Sequence, residues 1–386
     1  MKVVQLGCGV TGIVCAQHLN GNRKVDEIVL ADAATDAAHA LASRLKGNKV
    51  SVKKVDAAST DAVKRLIRGA DILVSALPSA FSIRVIKAAA KAGVDYVDFS
   101  MSWESVEAFS DLDRRCREGG ITALTAMGCD PGISDVFARY AASKLDAPEE
   151  AYVRDGDNGT AEGQGYFTVW SPLEMLEEAT TPAAVFRDGK ISYLPPLHRR
   201  EIYEFPPPIG PLPVYNTSHE ETFLMPKYIK GIRKADFKIA IDDEFAKMAN
   251  LLRKMGMASA DLVDVKGVKV RPIDVVAALM PRPLGVAGKL RGHSGIVVEV
   301  IGWRDGAKRR IRLWTSMSHE ESHRRARSNA TGFLVGTGGA VGAEMILSGE
   351  FERVGLSVPE HLPAEAVLRR LPAKGLQVFE DDAPAA

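Results

Sequence analysis

Disulfides are the first thing this sequence lacks. Four cysteines stand among 386 residues (Cys8, Cys15, Cys116, Cys129), with no C-x-x-C pair and no even ladder of spacings. That usage fits a reducing cytoplasm, where the sequons at Asn158, Asn216 and Asn329 carry no meaning. Charge of one sign is missing too: 50 basic residues meet 49 acidic ones, a net charge of +1. Neither nucleic acid nor an anionic membrane surface is therefore an expected partner, since both call for a basic face. No apolar run is expected to approach the length of a membrane span. Lys2 before an apolar stretch mimics a signal peptide, but glycines interrupt it and no small-residue cleavage site follows. No internal repeat is found; Ser-His-Glu-Glu occurs at 218–221 and 318–321 in unrelated surroundings. With 46% hydrophobic and 26% charged residues, what remains is a globular chain long enough for two domains.

The first thirty-two residues organise the rest. An apolar strand, Lys2–Leu6, runs into Gly7-Cys8-Gly9-Val10-Thr11-Gly12, then a helical pattern over Ile13–Leu19, then a second strand ending at Asp32. Gly7 permits the tight turn, Gly9 leaves room for a pyrophosphate, and Gly12 lets the helix lie close on the sheet. The N–H groups of Val10 and Thr11 open the helix toward the phosphates. Asp32, twenty residues past Gly12, stands where a carboxylate accepts hydrogen bonds from the adenosine ribose. It would repel a 2′-phosphate, and Ala33-Ala34-Thr35 supplies no arginine to bind one. NAD is therefore expected ahead of NADP; Arg44 and Lys53-Lys54 keep NADP open.

Beyond Asp32, strands and helices alternate: helix Asp36–Leu45, strand Val50–Lys54, helix Thr60–Arg68, strand Asp71–Ser75, helix Ser82–Ala92, strand Val94–Phe99, helix Ser105–Glu118 and strand Ile121–Ala126. This predicts a Rossmann domain, a doubly wound parallel sheet, over residues 1–130. Ligands of such sheets sit at the carboxyl ends of the strands, which places Asp56, Ala57, Ala76, Leu77, Pro78, Ser100 and Gly128 on the cofactor side. From 131 to 329 the pattern changes to β-like runs and many prolines. Ala235–Ile241 and Gly295–Ile301 alternate like strands packed on one side, and Lys308–Ser316 follows as another. Glu244–Lys254 and Pro272–Leu279 read as covering helices. This is an α+β, mostly antiparallel second domain, expected to hold substrate and the dimer contact. The prolines of 205–213 suggest a loop over the site or a subunit contact. The small-residue helix Ala330–Leu347 should return to the nucleotide domain, completing it over 330–386, with Glu380–Ala386 frayed. A homodimer is the base-rate expectation.

A second constellation, Gly128-Cys129-Asp130-Pro131-Gly132, opens the helix Ser134–Leu145, with Pro131 suited to a first turn. Cys129 and Pro131 would line the cofactor; Asp130 can orient substrate or cap the helix, capping being the simpler role. GCDPGISDVFA (128–138), GCGVTG and ATGFLVGTGGAVGAEMI (330–346) together resemble the saccharopine dehydrogenase superfamily. KGIRKADFKIAI (230–241) with MGMAS (255–259) is similar to its carboxynorspermidine branch, and the C-terminal run with GLSVPEHLP to its lysine- and saccharopine-acting branches. The resemblance implies hydride transfer at a carbon bearing nitrogen, with lysine or saccharopine the first expected substrate and a polyamine-type substrate the alternative.

Such chemistry needs a base for the ammonium proton and a cation for any substrate carboxylate. Tyr215-Asn216-Thr217-Ser218-His219-Glu220-Glu221 is the richest stretch for it: His219 as acid/base, Glu220 or Glu221 as counter-charge, Tyr215 as a substrate contact. A solvated turn is the plainer reading of the same residues. Arg199, Arg200 and Arg233 are candidate carboxylate clamps or surface arginines, and Trp170 a pocket wall or core residue. Two rivals come from other classes. His319-Glu320-Glu321-Ser322-His323 matches H-E-x-x-H, with Glu344 as a third zinc ligand; the basic run Arg324–Arg327 beside it argues for chance, and no metal is expected. A non-catalytic NAD-binding sensor would keep the glycines and Asp32 but need no acid/base.

Overall fold

The computed structural model describes all residues except 46, 48, 102–106, 164 and 386. The expected start of the Ser105 helix lies outside the described residues; Phe109–Glu118 is helical. The chain divides into two compact units. The first comprises Met1–Phe137, Arg325–Ser328 and Gly332–Val378; the second comprises Ala138–Arg324, Asn329–Thr331 and Phe379–Ala386.

In the first unit β1 (Lys2–Leu6), β2 (Glu27–Asp32), β3 (Val50–Lys54), β4 (Ile72–Ser75), β5 (Asp95–Asp98) and β6 (Thr122–Leu124) are joined by a seventh strand, Gly355–Ser357. The order is 355–357, β6, β5, β4, β1, β2, β3, parallel throughout. Strand order reverses between β1 and β4, the point where a doubly wound sheet opens a crevice for ligands. Val3, Val4, Leu6, Ile28, Leu30, Ile72, Leu73 and Val74 are all buried. Runs apolar on both faces are what a parallel sheet covered by helices on each side demands. Trimming Leu73 to alanine would cost about 2–5 kcal/mol, since no solvent can fill the space. Helix Ser82–Ala92 ends as expected at Gly93, in the left-handed region at φ +67°.

Helix Ala330–Ser348 corrects one expectation. It is long and apolar enough to cross a membrane, at a mean hydropathy of 1.3, yet 83% of that window is buried inside the protein. Its glycines explain the burial. A methyl group at Gly336 would collide with the Thr11 carbonyl, and one at Gly338 with that of Gly128. Backbone-to-backbone packing of this closeness offsets the roughly 1 kcal/mol of helix propensity each glycine costs.

The second unit is built on a nine-stranded mixed sheet. Its main path runs Lys190–Leu194, Ala183–Arg187, Lys234–Ala240, Ala147–Asp157, His293–Arg304, Ala307–Ser318, Phe379–Pro384. Pairing is antiparallel except between 147–157 and 234–240. Four expectations change here. Residues 235–239 are buried on both faces rather than one, because the strand lies inside the sheet. Pro211 and Pro213 belong to strand Gly210–Asn216, which forms an antiparallel hairpin with His198–Phe205. The helices Asp243–Lys254 and Pro272–Leu279 pack on Pro172–Thr180, a helix outside the expected set. Phe379–Pro384 is no frayed end: it is an outer strand on 307–318, fastened by Asp382 to Arg304 and Arg309.

Candidate active site

The first unit presents a nucleotide cradle made mostly of backbone. Gly9 is the N-cap of helix Val10–Gly21 and supplies no side-chain cap. The first N–H groups of a helix have no carbonyl behind them, so Val10 and Thr11 offer theirs to a ligand. The three glycines differ. A methyl group at Gly7, at φ +88°, would strike Ala76 O across the β1–β4 crevice, and one at Gly12 would strike Gly7 O; at Gly9 it would meet nothing within 4 Å. The first two close the turn, and the third faces open space of the kind a pyrophosphate needs. Gln5 ties the turn from beneath, donating to Gly7 O (3.0 Å) and Gly12 O (2.8 Å). Asp32 accepts from the Cys8 N–H (2.9 Å) and the Ala34 N–H (3.1 Å), one per oxygen, which fixes the carboxylate and leaves each oxygen a second lone pair for a ribose hydroxyl. These residues fit a nicotinamide dinucleotide.

Around the crevice the other expected residues take varied places. Leu77 lies beside Gly7 with Ala76, and Pro78 and Ala33 are exposed. Asp56 is exposed and accepts from the Ala58 N–H, while Ala57 is buried in the core. Ser100 is half-buried. Gly128 donates to Pro131 O (2.9 Å), Ser134 donates its N–H to Cys129 O (2.8 Å), and Cys129 is buried. Pro131 sits two residues ahead of helix Ile133–Ser143, not in its first turn. The buried Asp135 accepts from the Gly132 N–H at the helix entry (2.8 Å).

Asp98 is not among the expected residues. Burial pushes it up to about 6, against hydrogen bonds from Tyr96, Thr125, the Ala126 N–H and Ser82. It stitches the end of β5 to the chain leaving β6. A lone acid after a strand gives no sequence signal for this; the Tyr-x-Asp spacing on one strand face is the available hint.

The second unit gathers the titratable groups. His219 Nδ1 lies 2.5 Å from Glu221 Oε2 and 3.5 Å from Glu220 Oε2, and its ring stacks on Phe237 at 3.8 Å. Burial alone would lower the imidazole's pKa; Glu221, Glu220 and Glu178 outweigh it and hold His219 well above its ordinary range, an imidazolium at neutral pH. Glu178 comes from helix Pro172–Thr180. Burial pushes its carboxyl up to about 8, opposed by His219 and aided by Glu174, Glu220 and Asp155. Glu220 is raised to about 7, by burial first, again with His219 opposing. Ser171-Pro172 is a helix-start signature that could have located Glu178. His219, Glu220 and Glu221 also bring one ligand atom each within 4.8 Å of one another, close enough to hold a cation.

In the same unit, Tyr215 donates to Asp243, which Arg200 grips through two bonds (2.7 and 2.8 Å). They line a groove of about 530 Å³ with Ala179, Lys247, Asn250 and Arg253. The remaining candidates point elsewhere. Arg233 is exposed beside Asp188, and Arg199 is exposed at φ +52°, its carbonyl taken by Lys238. Trp170 packs on the cluster of Ala161, Val169, Val286 and Leu290. His319 is fully buried with both ring nitrogens used: Nδ1 accepts from the Ala330 N–H and Nε2 donates to Asp157. Glu344 pairs with Lys374. The H-E-x-x-H string therefore presents no zinc helix.

A switch-point crevice with an open Gly9 and a terminal Asp32 defines a nicotinamide-dinucleotide oxidoreductase. Residues 3–124 match the saccharopine dehydrogenase NADP binding domain and residues 128–376 the saccharopine dehydrogenase C-terminal domain. The chain belongs to the saccharopine dehydrogenase family. It is 27% identical to a carboxyaminopropylagmatine dehydrogenase of Synechocystis sp., over 98% of this chain and 97% of the relative. It is 25% identical to a carboxynorspermidine synthase of Vibrio cholerae, over 97% and 96%. The apo saccharopine dehydrogenase (L-Glu forming) of Saccharomyces cerevisiae shares the fold, with a TM-score of 0.71 at 18% identity over 99% of both chains. The protein is thus an NAD(P)-dependent oxidoreductase.

Proposed function

We propose that the chain transfers hydride at a C–N bond of a carboxylated polyamine, of the carboxynorspermidine or carboxyaminopropylagmatine kind, with NAD preferred. The observation that carries this is the carboxylate cluster about His219. Three glutamates gather around one imidazolium, and burial raises the carboxyls of Glu178 and Glu220; a cationic nitrogen brought beside them would draw them into the ionised form, which suits a substrate rich in ammonium or guanidinium groups. Saccharopine, expected first, would favour several cationic clamps, yet Arg200 is taken by Asp243 and Arg233 stands beside Asp188. The full-length similarity to the two polyamine enzymes supports the same choice. A single substrate carboxylate would suit the groove of Lys247 and Arg253, whose Ala179 adjoins Glu178 in sequence.

The bound nicotinamide supplies a two-electron hydride acceptor or donor. Gly9, Val10 and Thr11 would hold its pyrophosphate and Asp32 its adenosine ribose. In oxidation, Glu220 takes the proton of the reacting ammonium, freeing the nitrogen lone pair. In the reverse direction the same carboxyl, then protonated, returns that proton to the nitrogen, with the His219 imidazolium fixed beside it. Glu221 keeps the imidazolium charged. The test is a comparison of kcat/KM on carboxynorspermidine, carboxyaminopropylagmatine, saccharopine and lysine with NAD and NADP, followed by nicotinamide absorbance. A carboxylated polyamine should exceed saccharopine and lysine by about 100-fold or more, the discrimination a site with unpaired buried charge achieves. Saccharopine as the best substrate would overturn the reading.

A further inference from the structure

The first histidine of the H-E-x-x-H string holds an acid that the mechanism has not used. His319 Nδ1 accepts from the Ala330 N–H (3.1 Å), so it carries no proton, and the Nε2 proton goes to Asp157 Oδ1 (3.1 Å). The same oxygen accepts from the Gly159 N–H (2.7 Å). A methyl group at Gly159 would strike both Asp157 Oδ1 and His319 Nε2, so glycine lets the chain close on the pair. Among the described residues, Asp157 Oδ2 meets only the Thr331 hydroxyl, at 3.5 Å, and Ser294 shares that hydroxyl at 3.1 Å. A neutral imidazole and a backbone amide thus fix this carboxylate without cancelling its charge. No lysine or arginine among the described residues pairs with it, and its side chain is 18% exposed while that of His319 is closed off completely.

Strand Ala147–Asp157 carries Asp155 and Asp157 on one face, about 7 Å apart at two residues of strand rise. Register extends that face across two further strands. Asp157 stands opposite Ser294 and Ser294 opposite Met317; Asp155 stands opposite Ile296 and Ile296 opposite Thr315. Thr315 is 1% exposed, and its hydroxyl has no hydrogen-bond partner. A buried hydroxyl left over in this way is rare in a closed core and expected where a ligand or its water sits. Asp155 acts on the charge of Glu178, which in turn acts on His219. Acids therefore run from the His219 cluster through Glu178 and Asp155 to Asp157. We propose that Asp157 anchors a second cationic nitrogen of the substrate, the ammonium or guanidinium at the end away from its carboxylate. This rests on the carboxylated-polyamine reading and assigns that substrate's far end. A rigid carboxylate with an open oxygen gains a charge-assisted hydrogen bond from such a group at little ordering cost. A metal ion would find one carboxylate and no free imidazole nitrogen here, since both nitrogens of His319 are engaged.

Steady-state kinetics of the full chain on two substrates test this: carboxynorspermidine, and an analogue in which a methyl group replaces the ammonium farthest from the carboxylate. The wild type should lose about 10- to 100-fold in kcat/KM on the analogue, the worth of one hydrogen bond to a charged group. Asp157→Asn keeps an oxygen for the His319 and Gly159 donors. It should lose the same factor on carboxynorspermidine, through KM rather than kcat, and nothing further on the analogue. A disturbed fold would instead weaken both substrates alike, so equal losses on the two in Asp157→Asn overturn the proposal. A wild type indifferent to the missing ammonium overturns it as well, and that comparison needs no variant to fold. Wild-type preference for saccharopine over carboxynorspermidine is a separate outcome: it would overturn the polyamine reading, and this anchor with it.

Discussion

The nucleotide cradle and the carboxylate cluster solve opposite problems. In the first unit the ligand groups are main-chain amides and one carboxylate already committed to two backbone donors. Nothing there has to change protonation, and the cradle is defined by where side chains are missing. In the second unit the working groups are side chains whose charges depend on one another: His219 is charged because Glu221 and Glu220 surround it, and Glu178 and Glu220 are held near neutrality by burial. A rigid, charge-constant site suits a cofactor that is only held. A cluster of exchangeable protons suits a substrate nitrogen that must gain or lose one.

The sharpest way to break that contrast is to remove the exchangeable protons. Glu220→Gln should lower kcat by about 10²–10⁴-fold, the range for a lost acid/base, while KM changes little. His219→Ala should do the same, and near-normal turnover in both would move proton transfer elsewhere. Cofactor affinity, measured by calorimetry, should be untouched in either.

Within the cradle, Gly12 and Gly9 part company. Gly12→Ala drives a methyl group into the Gly7 carbonyl, so melting should fall by several degrees, about 1–3 kcal/mol of overpacking. Gly9→Val has open space to enter and should melt like the wild type, yet bind the dinucleotide about tenfold or more weakly. Equal melting losses in the two variants would mean Gly9 is structural. A smaller shift is expected from Asp32→Arg. It should exchange NAD for NADP preference by about tenfold, because the ribose hydroxyls lose a carboxylate acceptor and a 2′-phosphate meets a guanidinium. Unchanged preference would mean another residue reads the ribose.

Legibility follows the same divide. β1, β3 and the helix Ser82–Ala92 lie where the apolar patterns put them, because each is specified by residues adjacent in the chain. The glycine turn and Asp32 are local in the same way. The acid cluster is not: Glu178 and Glu220 stand 42 positions apart, and only the tertiary fold makes them neighbours. Phe379–Pro384 escaped for another reason. Its Asp381 and Asp382 are wrong for a buried strand, and it is held at an outer edge through arginines of strands 293–304 and 307–318. Asp135 was missed as a helix-entry acceptor because the helix begins two residues after Pro131 and the acceptor lies inside its first turn.

The smallest expected effect separates the two kinds of buried acid. Asp98 has four donors opposing its burial, so its carboxyl rises only to about 6. Glu178 is raised to about 8 from an ordinary 4.5, chiefly by burial. Between those values the folded chain keeps a proton that the unfolded chain has released, so the neutral carboxyl contributes stability that is fully present below about 4.5 and is lost as pH rises through about 8. Glutamine has the same shape and never ionises. Glu178→Gln should therefore melt with the wild type at acidic pH and above it at alkaline pH, by on the order of 1 kcal/mol. Asp98→Asn should do the reverse of a stabilisation, because an amide N–H₂ would face donors that now meet a carboxylate oxygen. A melting difference for Glu178→Gln that is flat with pH would mean that this carboxyl is already ionised in the folded chain, and the cluster would lose its place as the proton-exchanging half of the molecule.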